Sequence, residues 1–310
     1  MSDTTNTESP TSAPQPPTPK PKVAMGKPVM SSYPAQPGSI LDTTPEPQPF
    51  ITSDARTAAG ELELLGGYIR EDKETGEQTR FNIAVMREMS GHEEDLMANT
   101  KMEFARRLNI ILGNCLERLG DGKGNYITEK SELSRAVTKL TSADQTQMIL
   151  FLRIISTEEG VSFRFKANCP QCGVEFFKNV NLGELKKRPM VNPMERLYDV
   201  SLDNGKNVRC KIMSIEDEVI TEKARQSGQN ILSAGLLARV REIDGQPAGF
   251  GEVKELRMRD RNRLRSEFER REGGVETSTP HICTACNTQF EVDIDITQRG
   301  FFFPSETSNA

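Results

Sequence analysis

Four of the six cysteines fall into two pairs of identical spacing, Cys169-x-x-Cys172 and Cys283-x-x-Cys286. Each pair sets two thiolates on one tight turn, half the donor set of a tetrahedral metal site. Together the pairs supply the all-cysteine complement of a structural zinc site. The residue after each second cysteine is Gly173 or Asn287, the types that most readily take the left-handed backbone a metal knuckle needs there. Phe176 and Phe290 follow four residues behind Cys172 and Cys286, each opening a run of alternating apolar positions. The spacing therefore predicts Cys169, Cys172, Cys283 and Cys286 as the ligands of one Zn2+, which adds on the order of 10 kcal/mol of folding energy in small sites. Competing readings are thiols without metal, a disulfide within each pair, and a second knuckle supplied by another copy of the chain. His281 is a further donor, but four cysteines leave it no vacancy. A filled shell also leaves no open coordination position, so this zinc is structural and not catalytic.

Other chemistry fails on inspection. Cys115 lies on an apolar helical face and reads as a small core residue, and Cys210, on a strand, reads as core or surface filler and not as a ligand. The run Asp121 to Glu132 begins and ends like a calcium loop but has Lys123 at a ligand position and Tyr126 where the turn needs glycine. No glycine-rich phosphate loop is present, and neither His92 nor His281 has a neighbour that suggests a nucleophile–base pair. A hydrolytic metalloenzyme using His281, or Asp144 with Asp260, would need an open site. The arginines at 257, 259, 261, 263 and 265 step by two, so on a helix they scatter around the cylinder, interleaved with Asp260, Glu267, Glu269 and Glu272. That pattern disfavours a nucleic-acid reader.

What brings distant knuckles together is legible as a repeat. Asp144 precedes Cys169 by 25 residues and Asp260 precedes Cys283 by 23, each near the start of a helical stretch. Further back, Met89-Ser-Gly-His-Glu-Glu-Asp95 matches Met213-Ser-Ile-Glu-Asp-Glu218, with Ser90 or Ser214 as helix cap and acids in the first turn. Before these come hairpin turns at Glu74–Glu77 and Asp203–Lys206. Leu119–Gly122 and Ile243–Gly245 read as matching inter-helix loops, and the apolar positions from Glu93 to Leu119 mostly keep a helical step. The order hairpin, helix, loop, helix, knuckle thus occurs twice, at about 67–185 and 197–297. The expected fold is α+β, internally duplicated, with a pseudo-twofold zinc-ribbon core.

Twelve of the eighteen prolines lie before residue 50, mixed with Ser, Thr and Gln. Such a segment cannot bury enough apolar surface to offset the entropy of ordering it. The boundaries read as a disordered Pro-rich arm at 1–60, a first repeat at 61–190, a second at 191–303 and a tail at 304–310. Ile40-Leu41 and Phe50-Ile51 are the arm's candidate docking motifs. The net charge of −5 gives no electrostatic case for nucleic acid. No apolar run approaches the ~18 residues of a membrane span, and Met148–Ile155, which carries Arg153, reads as a buried helix. No signal-like core stands at the N-terminus, so export is not expected.

These motifs, in this order, resemble the T4-like phage baseplate family, proteins of contractile tails tied to hub assembly. The resemblance rests on Met89–Asp95, Leu140–Arg153 ahead of Gly160, Ser162–Gly173 with Val180–Leu182, Leu202–Ile212, Val240–Gly245 and Cys283–Cys286. It covers roughly residues 67–297. The resemblance implies a non-enzymatic structural or assembly protein of the tail baseplate, binding hub and wedge proteins, found in the virion or in the host cytoplasm during assembly. The Pro-rich arm departs from the family pattern and suggests a tether to neighbouring subunits. The alternative is a zinc-ribbon nucleic-acid-binding or transcription-related protein.

Overall fold

Two strands, two helices, two strands, two helices and a closing two-stranded ribbon follow one another twice along the chain. The computed structural model describes residues 46–51, 60–99, 101–296 and 299–303, all within the unit Thr43–Ala310. The elements run β1 (Gln48–Pro49), β2 (Glu61–Glu71), β3 (Gln78–Met86), α1 (Gly91–Ala98), α2 (Phe104–Cys115), β4 (Leu116–Gly120), β5 (Tyr126–Ile127), α3 (Lys130–Lys139) and α4 (Ser142–Ser156). A ribbon of β6 (Ser162–Asn168) and β7 (Glu175–Asn181) follows, then β8 (Lys186–Arg188). The second half runs β9 (Leu197–Ser201), β10 (Asn207–Lys211), α5 (Glu218–Gln226), α6 (Ile231–Leu237), β11 (Val240–Ile243), β12 (Gln246–Pro247), α7 (Phe250–Glu255) and α8 (Met258–Glu272). It ends in β13 (Gly274–Val275), a ribbon of β14 (Ser278–Ile282) and β15 (Gln289–Asp293), and the short α9 (Arg299–Phe302).

Each half builds a four-stranded antiparallel sheet of the same order, β2-β3-β4-β5 and β9-β10-β11-β12. Even the irregularities agree. Ala84 pairs with Leu119 and Val85 with Arg118, then the register slips so that Met86 meets Leu116. Val208 pairs with Ile243 and Arg209 with Glu242, then the same slip brings Cys210 to Val240. The caps match too. Ser90 and Glu93 form a capping box on α1, with Glu93 ion-paired to Arg87 at 2.8 Å, and Ser214 and Asp217 form one ahead of α5, with Asp217 paired to Lys211. The Arg87 guanidinium, with Ser90, holds the Glu93 carboxyl down at about 2. Buried Cys115 sits in the first core, as its helical face predicted, and of the two places open to Cys210 the structure gives it the core of the second half.

Two readings from sequence are corrected. The helical face expected from Glu93 to Leu119 breaks into α1 and α2 and ends at Cys115, where Leu116–Gly120 extends as β4. Helical spacing cannot distinguish the last turn of a helix from a short strand whose outer partner lies elsewhere in the chain. The matched loops at Leu119–Gly122 and Ile243–Gly245 consequently join strands, β4 to β5 and β11 to β12, and not helices. Within the expected arm, residues 46–51 belong to the body: β1 pairs with β8, the Phe50 amide donates to Leu185 O at 2.8 Å, and Phe50 is 3% exposed. Ile40-Leu41 and the tail at 304–310 lie outside the described residues.

The halves join through a bulge in β2, which pairs with β3 up to Glu63 and again from Tyr68. The displaced backbone is satisfied by buried side chains. Asp144 accepts from the amides of Gly66 (2.7 Å) and Gly67 (3.0 Å), and Gln147 Oε1 accepts from Leu65 N (2.8 Å). Arg80 donates to the carbonyls of Leu64, Leu65 and Gly66, while Arg196, from the start of the second half, donates to those of Gly66 and Gly67. Leu65 is thereby delivered into the core of the second half beside Tyr198 and Val200. Asp144 also accepts from the Thr141 amide and hydroxyl, so it caps α4 and anchors the joint at once. A side chain at position 66 has no room, since its Cβ would fall 2.7 Å from Thr141 Cγ2 and 2.8 Å from Asp144 Oδ2.

Asp260, which occupies the matching place on α8, bonds only the Asn204 amide at 3.3 Å among the described side chains. Asp144→Ala, which strands several buried donors, is therefore expected to cost about 3 kcal/mol or more of stability, and Asp260→Ala about 1 kcal/mol. Urea unfolding of the two variants measures the difference, and equal losses would show that the bulge is not the joint.

Candidate metal centre

Each Cys-x-x-Cys segment is the loop of a two-stranded ribbon. Pairing of β6 with β7 runs up to Asn168 and Glu175, leaving Cys169–Val174 as the turn. Pairing of β14 with β15 runs up to Ile282 and Gln289, leaving Cys283–Thr288. The two loops close with the same bonds: Gly173 N to Cys169 O and Cys169 N to Val174 O at 2.9 Å, and Asn287 N to Cys283 O at 2.9 Å with Cys283 N to Thr288 O at 3.0 Å. To make the first of these bonds the chain must reverse just after the second cysteine. Gly173 and Asn287 do so with φ of 73° and 56°, as the sequence predicted for residues of these types.

The ribbons bring all four predicted cysteines together. Cys169 Sγ lies 3.6 Å from Cys286 Sγ and Cys172 Sγ lies 3.7 Å from Cys283 Sγ, with all four atoms within 4.8 Å of one another. A tetrahedron with metal–sulfur bonds of about 2.3 Å has edges of about 3.8 Å, so the four positions fit a single ion. The first cysteine of each knuckle faces the second of the other. Cys169 and Cys283 are each 2% exposed, while Cys172 and Cys286 lie at the surface. All six cysteines are free thiols, so neither pair is a disulfide here. The first ribbon is rooted in the first core through Phe163 and Val180, and the chain re-enters that core at Ile294, directly after β15.

The knuckle backbone prepares some of these thiols for ionisation and the crowding opposes it in others. The Thr288 hydroxyl, 3.3 Å from Cys286 Sγ, and the Thr288 amide pull the Cys286 thiol down to about 6. The amides of Cys172 and Gln171 lower Cys169. For Cys172 the Val174 amide acts in the same sense, but desolvation and the surrounding thiols outweigh it and push the group up to about 12. Four thiols in one place cannot all ionise alone, and a cation among them removes that penalty. Thr288 was not singled out in the sequence; its signal is a hydroxyl two residues beyond a knuckle cysteine, where the other copy has Val174.

The remaining predicted candidates sit elsewhere. The His281 ring stacks on Phe176 with centroids 3.9 Å apart and planes 4° apart, and meets Phe290 edge-on at 5.4 Å. It is a wall between the ribbons and not one of the clustered donors. Lys178 Nζ, bonded to Pro280 O at 2.8 Å, ties the same two ribbons. Asp144 caps α4 and holds the β2 bulge, while Asp260 accepts from the Asn204 amide, so the two are engaged in separate places. Asp121 accepts from the backbone and side chain of Asn125 and from Lys123 N, which occupies it with a turn between β4 and β5. On α8, Arg261 donates to Ser233, Arg263 pairs with Asp203 and Arg265 donates to Asn262.

Backbone strain gives a test that leaves the ligands intact. Gly173→Val, a β-branched residue in the left-handed region, is expected to weaken zinc binding about tenfold or more, whereas Asn287→Gly leaves it unchanged or improves it. Competition with a chelating dye measures both, and a Gly173→Val protein that binds like the parent would show that the knuckle turn does not set the ligands. His281→Phe keeps the aromatic wall and is expected to retain full binding. Compared with models of protein families, with curated proteins and with solved structures, the chain matches none.

Proposed function

We propose that the chain is a non-enzymatic scaffold whose two halves descend from one duplicated unit and are clipped by a single structural Zn2+ across a pseudo-twofold zinc ribbon. The observation that carries this reading is the reciprocal placement of four thiols drawn from equivalent knuckles. Matching sheet orders, matching register slips and matching capping ion pairs support the duplication. A tetrahedral set of four sulfurs suits zinc or iron. Zinc fits a clip better, because it brings no redox chemistry and fills its shell with the four cysteines. Within that role the protein's own residues set the ribbon turns, wall off one side with Phe176, His281 and Phe290, and fix the angle between the halves.

The resemblance to phage baseplate proteins extends this to a role in a contractile tail, with the scaffold's outer faces and its Pro-rich arm binding hub and wedge subunits. The burial of Phe50 under β8 gives that arm a fixed root on the body. The nucleic-acid alternative is disfavoured by α8, where Arg263 is tied to Asp203 and Arg271 to Glu195 and Glu267. Among the described residues no helix is long and apolar enough to cross a membrane.

Elemental analysis of the purified protein is expected to find close to one zinc per chain. A strong chelator, or Cys169→Ser with Cys283→Ser, should lower the melting temperature by 10 °C or more (about 2–4 °C per kcal/mol at this size). A metal-free protein whose melting curve ignores the chelator would overturn the clip, and iron in the site would overturn zinc alone. Mass spectrometry of purified tail particles tests the baseplate role, which fails if the chain neither enters the tail nor binds a tail protein during assembly.

A further inference from the structure

We propose that the cleft between the two halves binds a short acidic segment of a partner protein, a reading that stands apart from the metal centre. The cleft has a volume of about 320 Å³, at the small end of the range for ligand sites, about 300–1,000 Å³. Tyr68 of β2 forms one wall, Arg135 and Lys139 of α3 another, and Arg196 with Leu197 of β9 and Lys211 of β10 the third. Four cationic side chains line it with no carboxylate among the lining residues, in a chain of net charge −5. The lining is therefore cationic, and the part of it not offset by carboxylates behind the walls favours an anionic occupant.

Not all of these charges are free. Lys139 pairs with Glu216 at 2.8 Å, and Lys211 pairs with the buried Asp217, which also lies 3.6 Å from Arg241. Arg196 gives Nη2 to the β2 bulge, and its buried Nη1 has no hydrogen-bond partner. Arg135 is exposed, its carbonyl accepts from the Thr138 hydroxyl, and among the described residues its guanidinium makes no ion pair or hydrogen bond. It stands one turn from Lys139 on the same face of α3, so its guanidinium is the group available to take a carboxylate in two parallel bonds. Beside it, Leu197 is 48% exposed. Cationic groups next to an uncovered leucine suit a chain that carries both carboxylates and apolar side chains. Among the described residues β2 and β9 each pair with a neighbouring strand on one side only, so both lie at the edges of their sheets. A nucleic-acid backbone would require the cations to run along a face; here they converge on one small cavity.

The test is fluorescence anisotropy of a labelled peptide of alternating glutamate and valine, added to the full, metal-loaded protein. Binding is expected to weaken about tenfold or more with Arg135→Glu, the value of one charge-assisted bond, and to weaken likewise with Leu197→Asp. Lys123→Glu, the same charge reversal on an exposed loop outside the cleft, is expected to bind as the parent does. Raising the salt from about 0.05 M to about 0.5 M should also weaken binding. No binding by the parent, equal binding by Arg135→Glu and Lys123→Glu, or equal binding of a lysine–valine peptide would overturn the proposal. Tighter binding of a single-stranded oligothymidylate than of the acidic peptide would overturn it as well, by assigning the cleft to phosphates. Melting curves identify any variant that fails to fold, and the intact parent and Lys123→Glu proteins keep the comparison decisive.

Discussion

Four thiol groups crowd within 4.8 Å of one another, and as thiolates they repel unless a cation stands among them. The geometry is otherwise hard to account for, because sulfur atoms at such distances gain little from one another in the absence of metal. Everything near them serves the encounter. The turns are closed by two backbone bonds apiece, the first ribbon and the chain just past β15 enter one core, and an aromatic wall keeps the ribbons at a fixed separation. A metal ion held by these sulfurs would join residues 111 apart, and because the folded chain alone presents the four together, its binding free energy would add directly to folding stability.

The two halves share a plan and divide the labour unequally. Helices α4 and α8 have the same length, yet α4 buries ten of its residues and α8 only three, Asp260, Leu264 and Phe268. The difference follows from what covers them. Phe50, Phe301 and Phe302 pack into the first core, together with Phe163 and Val180 of the first ribbon and Ile294 just past β15. Arg153 of α4, 1% exposed, donates through Nε to Phe301 O and lies 4.8 Å from the Phe163 ring centre. A charge at that depth persists because carbonyls and aromatic faces replace its water. The second half instead presents a charged helix to solvent, as its mean composition requires.

Local chemistry was legible in the sequence; long-range register was not. The four cysteines, the left-handed Gly173 and Asn287, and the Ser90 and Ser214 caps each follow from residue type and spacing, because each is a short-range requirement. The β4 and β11 strands were read as helix or loop, since four or five residues carry too little period to separate the two. The bulge at Leu64–Gly67 was invisible for another reason. Its partners Asp144, Gln147, Arg80 and Arg196 are spread through the chain, and nothing in a single sequence marks which carboxylate will receive which amide. Asp144 was noticed for its place in the repeat, and its actual work, holding a joint, emerged only from the fold.

The separation of the knuckles along the chain has a consequence for biosynthesis. Cys172 leaves the ribosome 111 residues ahead of Cys283, which at ordinary rates of about 5–20 residues per second is a wait of roughly 5–20 seconds. During that interval the early ribbon is an open dithiol with nothing opposite it. Its own turn bonds and its footing in the first core must hold the hairpin in shape until translation delivers the second pair.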